Sequence, residues 1–409
     1  MYQFFKDPRI IELLHRGPLG DHIDSYAALL NQQNYTQASA YRQLLLISRF
    51  SRWMQRHSMA VHKVDEATLQ KFLATLRRRK FHNGEAVALN RLLSLLRQQK
   101  IVPASPSPTL SPRQQVLAEF AHYLLQERRL SQGTLLNYQP FVDCFLSEQF
   151  KNRKVNLASL RAADVTGFVQ RHARRLSPGR AKVLVGALRS FFRHLQHRGQ
   201  ISTDLAACVP GVANWSFSAL PKFLPVVTVQ RVLEQCDQHT SVGRRNYAIL
   251  LLLAQLGLRA GEVVALTLED LDWDTSQIRV RGKGGGCAPL PLPAEVGEAL
   301  ATYLRNDRPR CSSRRVFIRD RAPLTGFNNS STISALVRRA LNKAGVKSPH
   351  KGAHVLRHSL GTDLLRQGCS LDEIGELLRH RSPNTTAIYA KVDFAALHTL
   401  ALPWPGGER

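Results

Sequence analysis

Apolar residues recur at intervals of three and four along most of the chain, which is the pattern of helices that bury one face. Thr36 and Ser131 each precede such a run and suit a helix N-cap. Only Gln277–Arg281 alternates as a strand does, and residues 288–292 return as a second strand after the glycine-rich turn 282–286. The pattern therefore predicts a mainly α protein with a small β hairpin.

Two stretches poor in helix formers divide this helical pattern. Residues 103–111 are rich in proline and predict an extended linker, and residues 206–225 contain several prolines before Thr228, which we expect to cap a new helix. The predicted order is a helical domain at 1–102, the linker 103–111, a second helical domain at 112–205, a linker at 206–225, a third domain at 226–393 and a tail at 394–409.

The first two helical domains look alike, because apolar positions match in order over three helices about one hundred residues apart. Any two amphipathic segments can be aligned in this way, but the conserved order and spacing favour a duplicated small domain. The matched positions are Leu46 and Phe50 with Phe141 and Phe145, then Leu69, Phe72 and Leu73 with Val165, Phe168 and Val169, and then Leu89, Leu92, Leu93 and Leu96 with Leu188, Phe191, Phe192 and Leu195.

The chain is strongly basic: its 409 residues include 57 Lys plus Arg against 30 Asp plus Glu, with a net charge of +27 and a pI of about 10.6. Such a charge favours a nucleic-acid partner over the alternatives of ribosome association, an anionic membrane or simple solubility. Basic residues occur along the whole chain, including the run 77–80, which predicts wrapping around the polyanion. The candidate DNA contacts are Arg174, Arg175, Arg180, Lys182, Arg244, Arg245, Arg338 and Arg339.

Other partner classes find little support. The six cysteines lie far apart without Cys-x-x-Cys spacing, and the longest apolar run, 247–254, is too short to span a bilayer. Lys283 lies in Gly-Lys-Gly-Gly-Gly, which lacks the spacing of an ATP-binding loop. His350, His354 and His358 are spaced for a metal, but Val355 replaces the glutamate of a zinc protease motif. We therefore expect no cofactor, no metal, no membrane partner, and a cytoplasmic, nucleoid-associated protein.

The carboxyl-terminal third carries residues suited to cutting a phosphodiester without metal. Arginines hold the non-bridging oxygens well because the guanidinium is planar and always charged, and Arg259 and Arg357 are the candidates. His354 lies three residues before Arg357, on the same helix face. Tyr389 would be a weak nucleophile at its free pKa of about 10, so it needs a nearby proton acceptor and positive charge.

These motifs together resemble the tyrosine recombinase, or phage integrase, family, and in particular its longer transposon-associated members. The residues that carry the resemblance are Gly257-Leu258-Arg259 with Glu262, Lys283 in a glycine hairpin, His354-x-x-Arg357-His358, Leu377-Leu378-Arg379-His380 and Thr386-x-x-Tyr389. The resemblance implies helical SAM-like DNA-binding domains and an integrase-type catalytic domain that form a clamp around DNA. By the same resemblance, residues 112–205 are the core-binding domain, residues 226–393 the catalytic domain, and residues 1–102 an additional arm domain or a second, core-binding-like DNA-binding domain. It also implies site-specific cutting and rejoining of duplex DNA through a 3′-phosphotyrosyl intermediate, without ATP or metal.

The resemblance also implies a role for each site residue. Arg379 is a departure, since the family usually has glycine before the later histidine, and a side chain there could alter the backbone at His380. By position, Tyr389 is the nucleophile, Arg259 and Arg357 hold the phosphate, Lys283 protonates the 5′-oxygen, His354 is the base, His380 hydrogen-bonds the phosphate or orients its neighbours, and Glu262 supports the active-site arginine and histidine.

The implied partners are double-stranded DNA with specific recombination sites, a homotetramer at synapsis, and companion recombinases or an accessory DNA-bending protein. The tail with Phe394, Leu397, Leu400 and Trp404 would dock on a neighbouring protomer or pack in cis. Two alternatives stay open. A type IB topoisomerase is disfavoured by the His-x-x-Arg pair and the duplicated domains, and a catalytically inactive DNA-binding protein of recombinase descent is disfavoured by the presence of all six site residues.

Overall fold

The computed structural model describes residues 4–5, 7–76, 84–104, 110–151, 154–213, 221–282, 286–348, 351–392 and 398. The chain divides into two compact units, one formed by residues 105–218 and the other by residues 1–104 together with 219–409. The structure confirms the mainly helical architecture with a small antiparallel sheet.

The described residues of 1–104 form five helices around an apolar core of their own. Thr36 caps the longest of them as predicted, because its side chain accepts a hydrogen bond from the Ser39 N–H. Buried Tyr26 donates its hydroxyl to the carbonyl oxygen of Ala88, at 3.1 Å. The helices are α1 (Pro8–His15), α2 (Gly20–Gln32), α3 (Gln37–Arg56), α4 (Glu66–Leu76) and α5 (Gly84–Gln98), with a 3-10 turn at Val61–Lys63.

Residues 105–218 form a second helical core, in which aromatic rings dominate the packing. The ring of Phe145 lies edge-on to Phe168 and Phe192, with centroids 5.2 and 5.4 Å apart. Ser131 caps its helix as predicted, accepting from the Thr134 N–H. The helices are α6 (Pro112–His122), continued by a π-helical turn Tyr123–Glu127, then α7 (Gln132–Phe150), a 3-10 turn Leu157–Ser159, α8 (Ala162–Ala173) and α9 (Pro178–His197).

The two helical cores share the order of their elements. In each, a capped long helix is followed by a 3-10 turn and two further helices, α3 to α5 in the first and α7 to α9 in the second. Every matched apolar position is buried except Phe141, which is partly buried. Burial at matched positions supports the interpretation of a repeated helical unit. The predicted linker 103–111 falls partly outside the described residues, as does the predicted linker 206–225.

The described residues of 221–392 form eight helices and a three-stranded sheet around a large apolar core, with a smaller cluster that includes Tyr389. The helices are α10 (Val226–Glu234), α11 (Ser241–Gln255), α12 (Ala260–Ala265), α13 (Ala294–Asn306), α14 (Ser330–Lys343), α15 (His354–Arg366), α16 (Leu371–Leu377) and α17 (Pro383–Thr386), with 3-10 turns at Leu268–Asp270 and Tyr389–Val392. The strands are β1 (Leu271–Asp272), β2 (Gln277–Arg281) and β3 (Cys287–Pro291), in the order β1-β2-β3 and all antiparallel.

The structure confirms the hairpin and corrects two details. Ile278 pairs with Leu290, and the Gly282 N–H donates to the Gly286 carbonyl at 2.7 Å, which closes the turn. The short strand β1 was not predicted, because two residues are too few to show an alternating pattern. The prediction that Thr228 caps a helix is wrong, since α10 begins at Val226 directly after Pro225, whose fixed φ suits a helix start.

Three further observations concern other partner classes. The six cysteines are free thiols. Within the described ranges, no group of three or more His, Cys, Asp or Glu side chains could hold a metal ion, and His350 lies outside those ranges. No described helix is both long enough and apolar enough to cross a membrane.

Candidate active site

Four separate segments bring the predicted site residues together. They are the start of α12, the first turns of α15, the turn after α16 and the last 3-10 turn. Of the six predicted catalytic residues, Lys283 lies outside the described residues. The other five, with Glu262, are distributed as Arg259 and Glu262 on the first segment, His354 and Arg357 on the second, His380 on the third and Tyr389 on the fourth.

Arg357 is fixed in the interior by two loop carbonyls. Its side chain is buried, and its guanidinium donates to the carbonyl oxygens of Gly257 and Leu378. Gly257 has a left-handed backbone (φ +57°), and a Cβ there would lie 2.5 Å from a methyl carbon of Leu378. Burial, with Arg259 nearby, lowers the pKa of Arg357 to about 10, so this cation stays charged at neutral pH.

Glu262 anchors Arg259 through two bonds. Its carboxylate accepts from the Arg259 backbone N–H at 2.8 Å and from the Arg259 guanidinium at 2.6 Å. Burial would raise the pKa of Glu262, but the hydrogen bonds from Arg259 and the charge of Arg379 outweigh it and the pKa is lowered. An ionised, buried Glu262 therefore holds the Arg259 side chain, which is about one-third exposed, at the edge of the site.

The turn after α16 keeps its geometry although arginine replaces the usual glycine. The Arg379 N–H donates to Glu376 O at 2.9 Å and the His380 N–H to Gly375 O at 2.8 Å, which are the two bonds of a Schellman motif. Arg379 occupies the left-handed position of that motif (φ +55°). The backbone hydrogen bonds at His380 are therefore undisturbed. The consequence of the arginine is instead an unfavourable φ at Arg379 itself.

The Arg379 side chain turns inward and joins the same carboxylate as Arg259. It is 11% exposed, and its guanidinium lies 3.1 Å from Glu262 Oε2. The Arg379 Nε is buried without a hydrogen-bond partner. Burial lowers the pKa of Arg379, and Glu262 opposes that shift. The carboxylate of Glu262 is thus shared between two arginines, one of which the family pattern lacks.

His380 is oriented by Thr386. The His380 Nδ1 and the Thr386 Oγ1 are 2.8 Å apart, and Thr386 is buried against Gly375. The His380 ring lies parallel to that of Tyr389, with an interplanar angle of 10° and centroids 6.4 Å apart. Burial and the nearby arginines lower the pKa of His380 to about 4, so its imidazole is neutral at physiological pH.

Tyr389 is buried with its hydroxyl against a histidine. It is 1% exposed, and its hydroxyl oxygen lies 3.2 Å from Nδ1 of His358. A Cβ at Gly361 would lie 2.5 Å from the Tyr389 Cζ, so only glycine leaves room for the ring. Burial raises the pKa of Tyr389 to about 12, although Arg357 acts in the opposite direction. The phenol is therefore protonated and shielded from solvent in this conformation.

The two histidines on α15 have different environments. His354 is exposed at the start of the helix, and its ring centroid is 6.3 Å from that of His358. Partial desolvation, followed by the charge of Arg357, lowers the pKa of His354, so the neutral form able to accept a proton is favoured. Burial lowers the pKa of His358 to about 4. The histidine hydrogen-bonded to the Tyr389 hydroxyl in this structure is therefore His358.

Sequence reasoning did not predict the contacts of three residues that shape the site. Thr386 orients His380, Gly361 makes room for Tyr389, and Arg379 binds Glu262. The spacing Thr386-x-x-Tyr389 and the lone glycine within α15 were visible signals, whereas the direction of the Arg379 side chain could not be read from the sequence.

The predicted DNA contacts fall into two groups. Arg174, Arg175, Lys182, Arg338 and Arg339 are exposed. Arg180 is also exposed, with its guanidinium 4.6 Å from the centre of the Phe141 ring. These six side chains remain available to a polyanion.

Arg244 and Arg245 have internal partners instead, and for Arg245 the predicted DNA contact is wrong. Arg245 is buried on the inner face of α11, where it donates to the Ile318 carbonyl at 2.9 Å. Arg244 donates to the Asp307 carboxylate at 2.6 Å. Both guanidiniums therefore serve the packing of their own core.

Comparison with known proteins agrees with this architecture. The Phage integrase family model matches residues 222–396, and the model named Phage integrase, N-terminal SAM-like domain matches residues 117–199. A Sinorhizobium fredii protein named as an integrase/recombinase, y4rA, is 45% identical over 393 residues, which cover 95% of each chain. The tyrosine recombinase XerD of Listeria monocytogenes is 30% identical over 285 residues, covering 68% of this chain and 94% of XerD.

Solved structures show the same fold. A XerH site-specific recombinase bound to its difH substrate superposes with a TM-score of 0.56 at 20% identity, covering 77% of this chain and 89% of that one. The Tn1549 transposon integrase in complex with a circular intermediate DNA gives a TM-score of 0.51 at 17% identity, covering 70% and 99%. Two family models that together span more than half of the sequence, and relatives along nearly all of it, place this chain in the phage integrase family of tyrosine recombinases.

Proposed function

We propose that this protein cuts and rejoins duplex DNA at specific sites through a phosphotyrosyl intermediate at Tyr389. One observation carries the proposal: two arginines, two histidines and a tyrosine from four separate segments converge on one place beside an ionised Glu262. Such a set supplies phosphate binding, a nucleophile and proton transfer. None of the steps needs ATP, because the phosphotyrosyl bond conserves the energy of the phosphodiester.

In the proposed reaction, the Tyr389 oxygen attacks the scissile phosphorus, forms a 3′-phosphotyrosyl bond and releases a 5′-oxygen. Arg259 and Arg357 hold the non-bridging oxygens, where negative charge grows in the transition state. His354 accepts the phenolic proton, Lys283 protonates the leaving oxygen, and His380 donates a hydrogen bond to the phosphate. The 5′-hydroxyl of a partner strand then attacks the phosphotyrosine and restores the phosphodiester.

The buried position of Tyr389 implies a conformational step before cleavage. A hydroxyl that is shielded from solvent and bonded to His358 cannot reach a DNA phosphate, and its pKa of about 12 opposes deprotonation. The last 3-10 turn must therefore move when DNA binds. Release would free the phenol to approach a bound phosphate, with the neutral form of His354 as the acceptor of its proton.

The two matched segments support a DNA clamp. We assign residues 112–205 to a core-binding domain and residues 226–393 to the catalytic domain, with residues 1–102 as an additional helical domain. The exposed basic residues that follow α8 and those on α9 and α14 would contact phosphates, since neutralising phosphates releases counterions and drives binding. These residues are Arg174, Arg175, Arg180, Lys182, Arg338 and Arg339.

A homotetramer on DNA is the assembly that strand exchange between two duplexes requires. A solved λ integrase, whose fold this chain shares with a TM-score of 0.52, is described as a tetramer bound to a Holliday junction. On the catalytic part of this chain, an open apolar groove of about 490 Å³ lies between α10, α11 and α15, lined by Val229, Leu233, Leu356 and Leu360 among others. Val227, next to this groove, is 72% exposed.

We assign this groove to the apolar tail of a second copy. The tail residues Phe394, Leu397, Leu400 and Trp404 lie outside the described residues, so the choice between docking in trans and packing in cis is part of the proposal. Trans docking predicts that Leu233→Asp abolishes joining of two DNA sites while one-site cleavage survives. Companion recombinases or a DNA-bending protein would be additional partners of this tetramer on DNA.

The test is to trap the covalent intermediate. Wild type, Tyr389→Phe and Tyr303→Phe are expressed with DNA from the native neighbourhood, the cells are lysed in denaturant, and protein-linked DNA is sequenced. Tyr303→Phe is the matched control, because it also removes a buried tyrosine hydroxyl, which accepts from the Ile318 N–H, but from an apolar cluster separate from that of Tyr389.

Attachment at discrete sites with wild type and Tyr303→Phe, but not with Tyr389→Phe, is the expected result. Attachment by Tyr389→Phe would remove this residue from the role of nucleophile. Scattered attachment would favour topoisomerase-like nicking, and attachment by none of the proteins would favour a DNA-binding protein that no longer cuts.

A further inference from the structure

The longest described helix of the first core, α3, carries only basic charged residues on its outer face. Its twenty residues, Gln37–Arg56, include four arginines and no aspartate or glutamate. Arg42, Arg49 and Arg56 are seven residues apart and exposed, and Arg52 lies beside them, half-buried. At about 100° per residue these four positions fall within one stripe of roughly 80° along the helix.

The opposite face of α3 is core. Ala40, Leu44, Ile47, Phe50 and Met54 are each fully buried. The arginine stripe therefore has a fixed direction, since rotating the helix would expose these side chains to water.

The carboxylates of the first core do not neutralise the stripe. Among the described residues, the ion pairs of this core join Arg16 to Glu12, His15 to Asp24 and Arg97 to Glu66, and none uses an arginine of α3. The Nε of Arg52 is buried and lacks a hydrogen-bond partner. Four like charges side by side repel one another, so the stripe gains most from a polyanion.

The stripe is not a general property of the repeated unit. The corresponding long helix of the second core, α7, contains Asp143 and Glu148 and no lysine or arginine. Within the second core, the helix α9 carries four basic residues, Arg180, Lys182, Arg189 and Arg193, besides its histidines. The two family models begin at residue 117, so they assign no role to the first core.

We infer that the first core binds duplex DNA through the phosphate backbone, with Arg42, Arg49, Arg52 and Arg56 of α3 as the contact surface. Successive exposed arginines are about 10.5 Å apart along the helix axis. Long arginine side chains at this spacing reach separate phosphates of one strand. Contacts to phosphates position a protein without reading sequence, so the surface adds affinity and register rather than site choice. The inference rests on the proposed function only in its choice of DNA as the partner.

The test measures how affinity depends on salt. Full-length wild type and the triple variant Arg42→Gln, Arg49→Gln, Arg56→Gln are titrated with a 60-base-pair duplex of arbitrary sequence between about 50 and 200 mM salt. Each phosphate contact contributes about 0.9 to the slope of log affinity against log salt, so the slope should become shallower by about 2.7. Glutamine keeps high helix propensity, and circular dichroism checks the fold.

The matched control removes the same charge from other faces of the first core. Arg9, Arg16 and Lys71 are exposed and lie on α1, the α1 C-cap and α4. Their combined change to glutamine should alter the slope by less than about 1, because net charge acts weakly where no phosphate is contacted.

Equal salt slopes for wild type and the α3 variant would overturn the inference. An equal decrease of the slope in the α3 variant and in the control would overturn it as well. Adduct formation is measured in the same preparations. If no adducts form while the salt slope still depends on α3, the proposed reaction is refuted and the inference about the α3 surface stands.

Discussion

Gly361 offers the sharpest test of how Tyr389 is held, because the space around this glycine is filled by the tyrosine ring. A Cβ at residue 361 would lie 2.5 Å from Cζ, 2.8 Å from Cε1 and 2.8 Å from the hydroxyl oxygen of Tyr389. Comfortable carbon contacts need about 3.5–4.0 Å, so Gly361→Ala forces the ring or the helix to move by about 1 Å. Overpacking of this kind costs about 1–3 kcal/mol.

The clash destabilises only the closed state, in which Tyr389 is buried. The clash exists while Tyr389 lies in its pocket and vanishes when the segment 383–392 opens, whereas the gain in helix propensity from alanine is present in both states. The opening free energy of the segment should therefore fall by the full ~1–3 kcal/mol, which corresponds to an opening equilibrium constant about 5- to 150-fold larger.

Hydrogen exchange followed by mass spectrometry measures this opening in the peptide that contains residues 383–392. Gly297→Ala is the control, because Gly297 is also inside a helix of the same core, and its Cβ would meet Leu292 at an ordinary 3.6 Å. Exchange of the Tyr389 peptide should accelerate in Gly361→Ala and stay unchanged in Gly297→Ala. Unchanged exchange in both variants would show that Tyr389 does not lie against α15 in solution.

Three further predictions concern the acid, the half-buried histidines and the turn. Lys283→Ala should slow cleavage strongly on normal DNA but little when sulfur replaces the 5′-leaving oxygen, and equal slowing on both substrates would remove Lys283 from the acid role. The lowered pKa values of His358 and His380, both about 4, mean that the unfolded chain takes up protons first. The stabilisation that depends on these two neutral histidines should therefore be fully present above about pH 6.5 and fall as the pH drops toward 4. Thermal unfolding is measured at pH 8, 6 and 5, and an unfolding temperature that did not decline would contradict the two histidines being held neutral. Arg379→Gly should be more stable than Arg379→Ala by about 1 kcal/mol, because both lose the Glu262 contact and only alanine keeps a strained left-handed residue; equal unfolding midpoints would argue against that backbone conformation.

Local patterns predicted the helices and the family well. N-caps at Thr36 and Ser131 and the strand Gln277–Arg281 depend on residues adjacent in sequence, and the structure has each of them. Helix starts were less certain, as Thr228 shows, because proline and threonine both favour such a position and the choice depends on packing. Arg245 was misjudged although a signal existed: it precedes Ala248, Ile249 and Leu252 at helical spacing on the buried face of α11.

Motif order in the sequence was enough to identify the family and to name the site residues, because each motif is a short run of chemically restricted residues. The tertiary structure decided how they meet. Arg357 takes its position from the carbonyls of Gly257 and Leu378, which are 100 and 21 residues away in the chain. The shared carboxylate of Glu262 and the burial of Tyr389 against His358 and Gly361 likewise arise only where distant segments pack. Periodicity fixes which face of a helix is buried, but the partner of each buried polar group depends on how the helices cross, and that information is not local to any motif.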